Sequence, residues 1–277
     1  MTYGDCYKEA VRLLADNGVR EAGLDARLLL ESVCGTDRNT LLAHPEREVS
    51  AEEKARFDAL VQRRCKREPL QYITNEQEFM GLTFETAPFT LIPRQDTECL
   101  VEEAMKEVHD GMAILDVCSG SGCILLSLLK YSNDCTGLGV DIDEKSVELS
   151  RRNSEKLGIP ASFAVSDLFE NVTGQYDIIV SNPPYIPSAV IDGLDPEVKD
   201  YEPRRALDGG EDGLDFYKRL SKEAKSHLKR GGYIFFEIGY DQKDAVLRIL
   251  REDGYRDAEC IRDLAGLDRV VKAWYTP

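Results

Sequence analysis

The sequence predicts an α/β fold: a doubly wound, mostly parallel sheet, preceded by a small N-terminal helical domain and a β-hairpin linker. Three observations carry this. From Ala113 onward, short apolar runs alternate with amphipathic stretches, as parallel strands joined by helices require. Before residue 75, apolar residues recur at helical spacing instead. Between the two, residues 78–85 alternate roughly every second position around Gly81, as a short hairpin does. The expected boundaries are 1–74 for the helical domain, 75–92 for the linker and 93–277 for the larger domain.

Taken in order, Tyr7, Ala10, Val11 and Leu14 share one face of a first helix. Leu24 to Cys34, rich in Leu and Ala, forms a second. Ser50-Ala-Glu-Glu53 is a capping box, in which a hydroxyl and a carboxylate satisfy free N–H groups at a helix start. Ala55, Leu60 and Val61 follow on one side, and Pro69 is expected to end that helix. After the hairpin, Leu91-Ile-Pro-Arg94 leads into a helix from Asp96 to Lys106. Strands are expected at Ala113–Val117, Gly137–Asp141, Ser162–Val165, Tyr176–Ser181 and Gly232–Ile238, then near Ala258–Ile261 and Val270–Tyr275. Helices are expected at Ile124–Lys130, Glu144–Leu157, Leu214–Leu228 and Asp244–Arg251. The single tryptophan, Trp274, is expected in the core.

A hydrophobic fraction of 42% supports a packed core. The net charge is −16, and its placement is uneven. The first 80 residues carry 12 Lys+Arg against 15 Asp+Glu, whereas the whole chain carries 35 against 51. Most of the excess negative charge therefore lies in the larger domain, where it repels phosphate backbones and argues against direct nucleic-acid binding. The basic cluster Arg63-Arg64-Cys65-Lys66-Arg67 reads as a solvated helix end favoured by the helix dipole. Eight cysteines without CxxC pairs or nearby histidines point away from a metal site and from disulfides, towards reduced cytoplasmic thiols. No apolar run is long enough for a membrane span, and the first residues carry no secretory pattern, so a cytoplasmic location is expected.

The most informative residues are Asn182-Pro183-Pro184-Tyr185. They follow the buried-strand run Asp177-Ile-Ile-Val-Ser181, and the two prolines stop that strand and stiffen the turn. An amide and a phenol ring are thereby held at the C-terminal edge of a sheet, where α/β folds bind ligands. An Asn side chain offers one acceptor and two donors, enough to grip another planar amide or amino group.

A cofactor site is expected beside this turn. The first strand of the sheet leads through Asp116-Val-Cys118-Ser119-Gly120-Ser121-Gly122 into a helix, and small residues there let a ligand approach the backbone closely. The second strand ends in Asp141, placed to chelate ribose hydroxyls, and the third ends in Asp167, placed to accept from an adenine amino group. The dinucleotide fingerprint is incomplete, because Leu125 stands where its third Gly belongs. Three acidic residues at successive strand ends suit a neutral nucleoside bearing a cationic sulfonium, S-adenosylmethionine. Taken singly, Asp141 or Asp167 reads equally well as a helix cap or turn residue; their coincidence with the Asn-Pro-Pro-Tyr turn carries the cofactor reading.

At this point the chain resembles the HemK/PrmC family. The residues are the Asn-Pro-Pro-Tyr turn, Pro69-Leu-Gln-Tyr72-Ile, Glu78-Phe79, Leu91-Ile-Pro93-Arg94, Thr97-Glu98, Tyr201-Glu202-Pro203, Ala206-Leu207, Gly210, Gly213, Glu237-Ile-Gly239 and Asp263-Leu-Ala-Gly266-Leu-Asp-Arg269-Val. The resemblance runs from about residue 69 to the end, with the N-terminal part similar in helical character only. It implies a class I S-adenosylmethionine-dependent methyltransferase with a Rossmann-like sheet, acting on the glutamine of the Gly-Gly-Gln motif in class I release factors. It further implies that Cys118 to Gly122 pass along the methionine part of the cofactor, Asp141 holds the ribose, and Asp167 and Leu168 meet the adenine. Asn182 and the Pro183 carbonyl would accept from the target amide, and Tyr185 would pack on the target side chain together with Pro184. A lone glutamine side chain gives little binding area, so the helical domain is expected to dock the protein substrate. Three positions depart from the pattern: Cys118 and Asn75 where Gly is usual or frequent, and Gln95 where Pro is frequent. Glu202 and Arg204 read either as a mutual strut or as substrate contacts. The competing readings are a ribosomal-protein glutamine methyltransferase, an adenine-N6 nucleic-acid methyltransferase and a non-catalytic binding module.

Overall fold

The computed structural model describes residues 1–276 and divides into two compact units. One comprises Met1–Glu76 together with Asp195–Tyr201; the other comprises Gln77–Leu194 and the chain from Glu202 onward.

In the first unit, α1 (Tyr3–Asp16), α2 (Ala22–Cys34), α3 (Arg38–Ala43), α4 (Ala51–Cys65) and α5 (Leu70–Thr74) pack around Cys6, Leu14, Leu29, Leu30 and Phe57. Capping boxes start α1 at Thr2 and α4 at Ser50. The buried face of α1 is Tyr3, Cys6, Ala10 and Leu14, so the expected register is off and Tyr7 is exposed. Pro69 does not end α4, which stops at Cys65; it instead occupies the N-cap of α5, where its missing N–H costs nothing. Asn75 closes α5 in the left-handed region (φ 59°), a conformation that Asn tolerates.

The basic cluster is not a solvated helix end. Arg64 is 7% exposed. It donates to Asp25 at 2.7 Å and to Glu197 at 3.0 Å. Arg67 donates to Glu197 at 2.6 Å, and Arg63 pairs with Glu68. Buried guanidinium groups require such partners, and a linear reading cannot find a partner about 130 residues away. Residues 195–201 thus belong to the helical unit because their acid completes its ion pairs; Tyr201 adds a hydrogen bond to the Lys66 carbonyl at 2.7 Å.

A hairpin of β1 (Glu76–Phe79) and β2 (Leu82–Glu85), turned through Met80 and Gly81 at φ 50° and 70°, belongs to the second unit from Gln77 onward. Then follow α6 (Gln95–Met105), β3 (Ala113–Val117), α7 (Cys123–Lys130), β4 (Thr136–Asp141), α8 (Glu144–Leu157), β5 (Ser162–Val165) and β6 (Tyr176–Ser181). The chain closes with α9 (Asp215–Glu223), β7 (Leu228–Glu237), α10 (Lys243–Glu252), β8 (Arg256–Arg262) and β9 (Asp268–Trp274). The seven-stranded sheet has the order β5-β4-β3-β6-β7-β9-β8. Its first five strands run parallel, and β9 lies antiparallel to both neighbours.

Parallel strands are covered on both faces, which is why β3, β6 and β7 read as continuous apolar runs. Ile114, Leu115, Ile178, Ile179, Phe235 and Phe236 are wholly buried. The expected long helix at Leu214–Leu228 breaks at Glu223, passes through a tight turn at Ala224–Ser226, and the next strand starts early at Leu228. Trp274 is half-buried rather than core; it lies on β9, and its indole N–H donates to Asp257 at 2.5 Å. Among the described residues, no helix is long and apolar enough to cross a membrane.

The order reverses between β3 and β6, since β4 and β5 lie on one side and β7 on the other. That is the switch point at whose carboxyl edge such sheets bind ligands. Val117 pairs with Ser181 in the register, so the next residues, Cys118 and Asn182, leave the sheet side by side.

Candidate active site

A cleft of about 360 Å³ opens at this edge. Its lining includes Cys118, Ser119, Gly120 and Ser121 from the turn after β3, and Asp141 from the end of β4. Asp167 and Leu168 follow β5, and Asn182 and Pro184 follow β6. The structure therefore gathers nine of the residues singled out from sequence into one cavity of ligand size. Gly122, Pro183 and Tyr185 do not line it.

The turn after β3 is built for close approach. Cys118 and Gly120 both adopt the left-handed region, at φ 64° and 56°. A Cβ added at Gly120 would meet no atom within 4 Å, so the missing side chain leaves open space in the cleft wall. Cys118 does occupy a position requiring φ > 0, and the departure from Gly there carries strain. Gly122 serves packing instead: it caps α7 at φ 81°, and a Cβ there would press within 3.2 Å of Phe163 and Ser150. Beneath the turn, Asp116 is wholly buried and accepts from the Ser119 hydroxyl at 2.7 Å. Burial pushes its carboxyl up to about 7, and its Oδ1 has no hydrogen-bond partner.

Asp141 is oriented by backbone alone. Its Oδ2 accepts from Gly120 N at 2.9 Å and its Oδ1 from Asp143 N at 2.9 Å. Burial raises its pKa, against the opposing pull of those two N–H groups. A carboxylate pinned in this way at the rim of a cleft is suited to a pair of vicinal hydroxyls. Asp167 is more constrained than expected, because Arg219 of α9 takes up its Oδ1 at 2.9 Å. Arg219 and Phe216, one turn apart on α9, also line the cleft, as do Phe89 and Arg205.

The Asn-Pro-Pro-Tyr turn divides its residues between cleft and interior. Asn182 reaches the cleft, and its Nδ2 donates to the Thr97 hydroxyl of α6 at 3.2 Å. Pro183 and Pro184 are buried. Tyr185 turns inward: its hydroxyl donates to Glu237 Oε1 at 3.3 Å, and its ring packs on the core. Burial raises its pKa, and the Glu237 charge adds to the shift. Tyr185, expected to pack on a substrate, lies outside the cleft lining.

Two groups that sequence reasoning left without a role hold the turn. Gln242 Nε2 donates to the carbonyls of Tyr185 at 2.9 Å and Gly213 at 3.2 Å. A short parallel bridge pairs Ile186 with Asp208, and Gly209 lies so close that a Cβ would approach Pro184 O and Tyr185 Cα at 2.8 Å. Glu202 is also resolved: it is 5% exposed and pairs with Arg94, while Arg204 pairs with Asp208 and Asp192. None of the three histidines lines the cleft. His44 and His109 are exposed, and His227 stacks on Phe169 at 5.1 Å.

A sheet of this order, with a cleft at the switch point that carries Asp141 and Asp167 at successive strand ends, defines a class I methyltransferase fold. The crystal structure of a methyltransferase from Pyrococcus furiosus matches with a TM-score of 0.55 at 20% identity, covering 71% of this chain and 90% of that one. The 16S rRNA N2 G1207 methyltransferase RsmC of Thermus thermophilus, solved with AdoMet and guanosine, matches with a TM-score of 0.54 at 20% identity, over 72% and 49%. Both likenesses speak for the fold alone. At family level, the PrmC N-terminal domain model matches residues 5–74 and the methyltransferase small domain model matches residues 95–192. The release factor glutamine methyltransferase of Geobacter sulfurreducens is 44% identical over 259 residues, 93% of this chain and 91% of that protein. That of Clostridium botulinum is 40% identical over 280 residues, 99% of each. The chain belongs to the release factor glutamine methyltransferase (HemK/PrmC) family and is a methyltransferase.

Proposed function

We propose that this enzyme transfers a methyl group from S-adenosylmethionine to the side-chain amide nitrogen, N5, of the glutamine in the Gly-Gly-Gln motif of class I release factors, in the cytoplasm. The observation that carries the reading is the orientation of Asn182. With Nδ2 engaged by Thr97, its Oδ1 is left as an acceptor at the cleft.

The residues fit the cofactor. The open wall at Gly120, the pinned Asp141 carboxylate and the Asp167–Arg219 pair suit a nucleoside with a short charged tail. Ser119, Gly120 and Ser121 would pass the amino-acid part, Asp141 the ribose, and Leu168 with Asp167 the adenine. S-adenosylmethionine, when bound, supplies a methyl group already activated by its sulfonium.

The remaining tasks fall to the protein. A glutamine amide nitrogen is a poor nucleophile because its lone pair is delocalised into the carbonyl. Asn182 Oδ1, which reaches the cleft, takes one of its N–H bonds, and we assign the other to the carbonyl of the next residue, Pro183, which stands outside the cleft lining; together they hold the nitrogen in line. Positive charge grows on nitrogen during transfer, so these acceptors bind the transition state more tightly than the ground state. Alignment of this kind accounts for up to about 7–11 kcal/mol of a barrier. A strong base is not required, because the methylated amide is very acidic while cationic and loses its proton to water.

A lone glutamine gives little binding area, and we assign recognition of the rest of the release factor to the helical unit. The direct test incubates the enzyme with S-adenosylmethionine and a purified class I release factor, then locates the modification by peptide mass spectrometry. One methyl on the Gly-Gly-Gln glutamine is expected; a methyl elsewhere in the factor would refute the assignment.

A further inference from the structure

Asn182 can offer the cleft either of two ends with almost the same shape: an oxygen acceptor or an NH₂ donor. Only the oxygen serves an incoming amide. Thr97, 2% exposed in the first turn of α6, receives the Nδ2–H bond. A hydroxyl alone does not settle the choice, because rotated it would donate to Oδ1 and turn the NH₂ outward. Something must take the hydroxyl proton away.

The buried carboxyl that the Thr97 hydroxyl influences is Glu237, the last residue of β7. It is 1% exposed, and the Thr97 hydroxyl favours its ionised form. Its Oε1 accepts from Tyr185, whereas Oε2 is buried with no partner in hydrogen-bond geometry. We infer that Thr97 and Glu237 are positioning residues for methyl transfer: ionised Glu237 draws the Thr97 proton, which forces Thr97 to accept from Asn182 Nδ2 and fixes Oδ1 towards the cleft. This rests on the reading of Asn182 as the acceptor for the target amide.

The groups facing Glu237 come from every element around it. Tyr185 approaches from the turn, and Thr97 and Asp96 from α6. Arg269 of β9 favours the carboxylate, held 3.1 Å from both Asp96 and Asp263. From α9, the Tyr217 hydroxyl donates to the Glu237 backbone carbonyl at 2.8 Å. Burial outweighs the favourable partners and pushes the carboxyl up to about 7. Protonation near neutrality therefore releases the Thr97 proton and lets the Asn182 amide turn over.

The test follows kcat against pH, with cofactor and release factor both saturating. Saturation matters because the other buried carboxyl raised to about 7, Asp116, lies under the cofactor side of the cleft and would act on cofactor affinity. Wild-type kcat should fall about tenfold per pH unit below an apparent pKa near 7. Glu237→Gln should lose this acid limb. Thr97→Val should lose the limb and about 10²-fold in kcat, with cofactor affinity kept, and Thr97→Ser should recover most of the rate. Glu237→Gln should also melt no lower than wild type at pH 8. A carboxyl whose folded pKa is raised contributes stability below its unfolded pKa and loses it as pH rises through the folded value, so removing the charge helps at pH 8. An acid limb that survives Glu237→Gln, or a wild-type kcat in Thr97→Val, would overturn the inference. If wild type itself transfers nothing to the factor, the functional reading fails instead.

Discussion

Asn182 matters less for being an amide than for which of its ends faces the cleft. Its Nδ2 is committed to Thr97 at 3.2 Å, and the oxygen is what remains. Removing it should cost the chemical step and spare cofactor binding. Asn182→Ala should lower kcat by about 10²–10³-fold, while S-adenosylmethionine affinity, read by calorimetry, stays within a few-fold. Near wild-type turnover would show that the acceptor model is wrong. At this scale the sequence was legible where chemistry is local. Asp141, Cys118 to Ser121 and Asn182 follow strand ends and reach the cleft because strand ends lead there. Tyr185 and Gly122 lie outside the cleft lining for a different reason. Whether a ring turns to ligand or core, and whether a glycine spares a ligand or a neighbouring phenylalanine, depends on packing partners distant in sequence.

Among elements, the segment from Leu207 to Gly213 shapes the site most without lining its cofactor side. It pairs with Ile186 and presses on the Asn-Pro-Pro-Tyr turn through Gly209, and Gly213 lies so near that a Cβ would come within 2.4 Å of Tyr185 O. This gives a physical reason for glycine at these positions, which motif resemblance alone did not. Gly209→Ala should displace the turn and lower kcat for methyl transfer at least tenfold (about 1.4 kcal/mol), with little change in cofactor affinity; an unchanged kcat would mean the turn yields without cost. The sheet strands were legible because burial on both faces leaves a continuous apolar run. Helix registers and ends were less so: α1 is rotated from its expected face and α4 stops before Pro69. Those features are decided by tertiary contacts that override local pattern.

Across the whole molecule, the helical unit is not a contiguous stretch of chain. It incorporates residues 195–201, whose Glu197 neutralises Arg64 and Arg67. Three arginines of the basic cluster, Arg63, Arg64 and Arg67, are thereby taken up by internal ion pairs rather than left to solvent. The assignment of release-factor docking to this unit predicts a selective defect. Deleting residues 1–70 should raise KM for the intact factor but not for a short Gly-Gly-Gln peptide. The peptide arm is needed because deletion also strands residues 195–201; a rise in both would report damage to that segment, and a rise in neither would exclude docking.

The central claim is that the cleft methylates a glutamine amide of a release factor. Its most direct measurement is transfer of labelled methyl from S-adenosylmethionine to a purified class I release factor, beside its Gly-Gly-Gln→Gly-Gly-Ala variant and a DNA control. The account predicts label on the wild-type factor alone. Equal label on the Ala variant, or label on DNA, would contradict it.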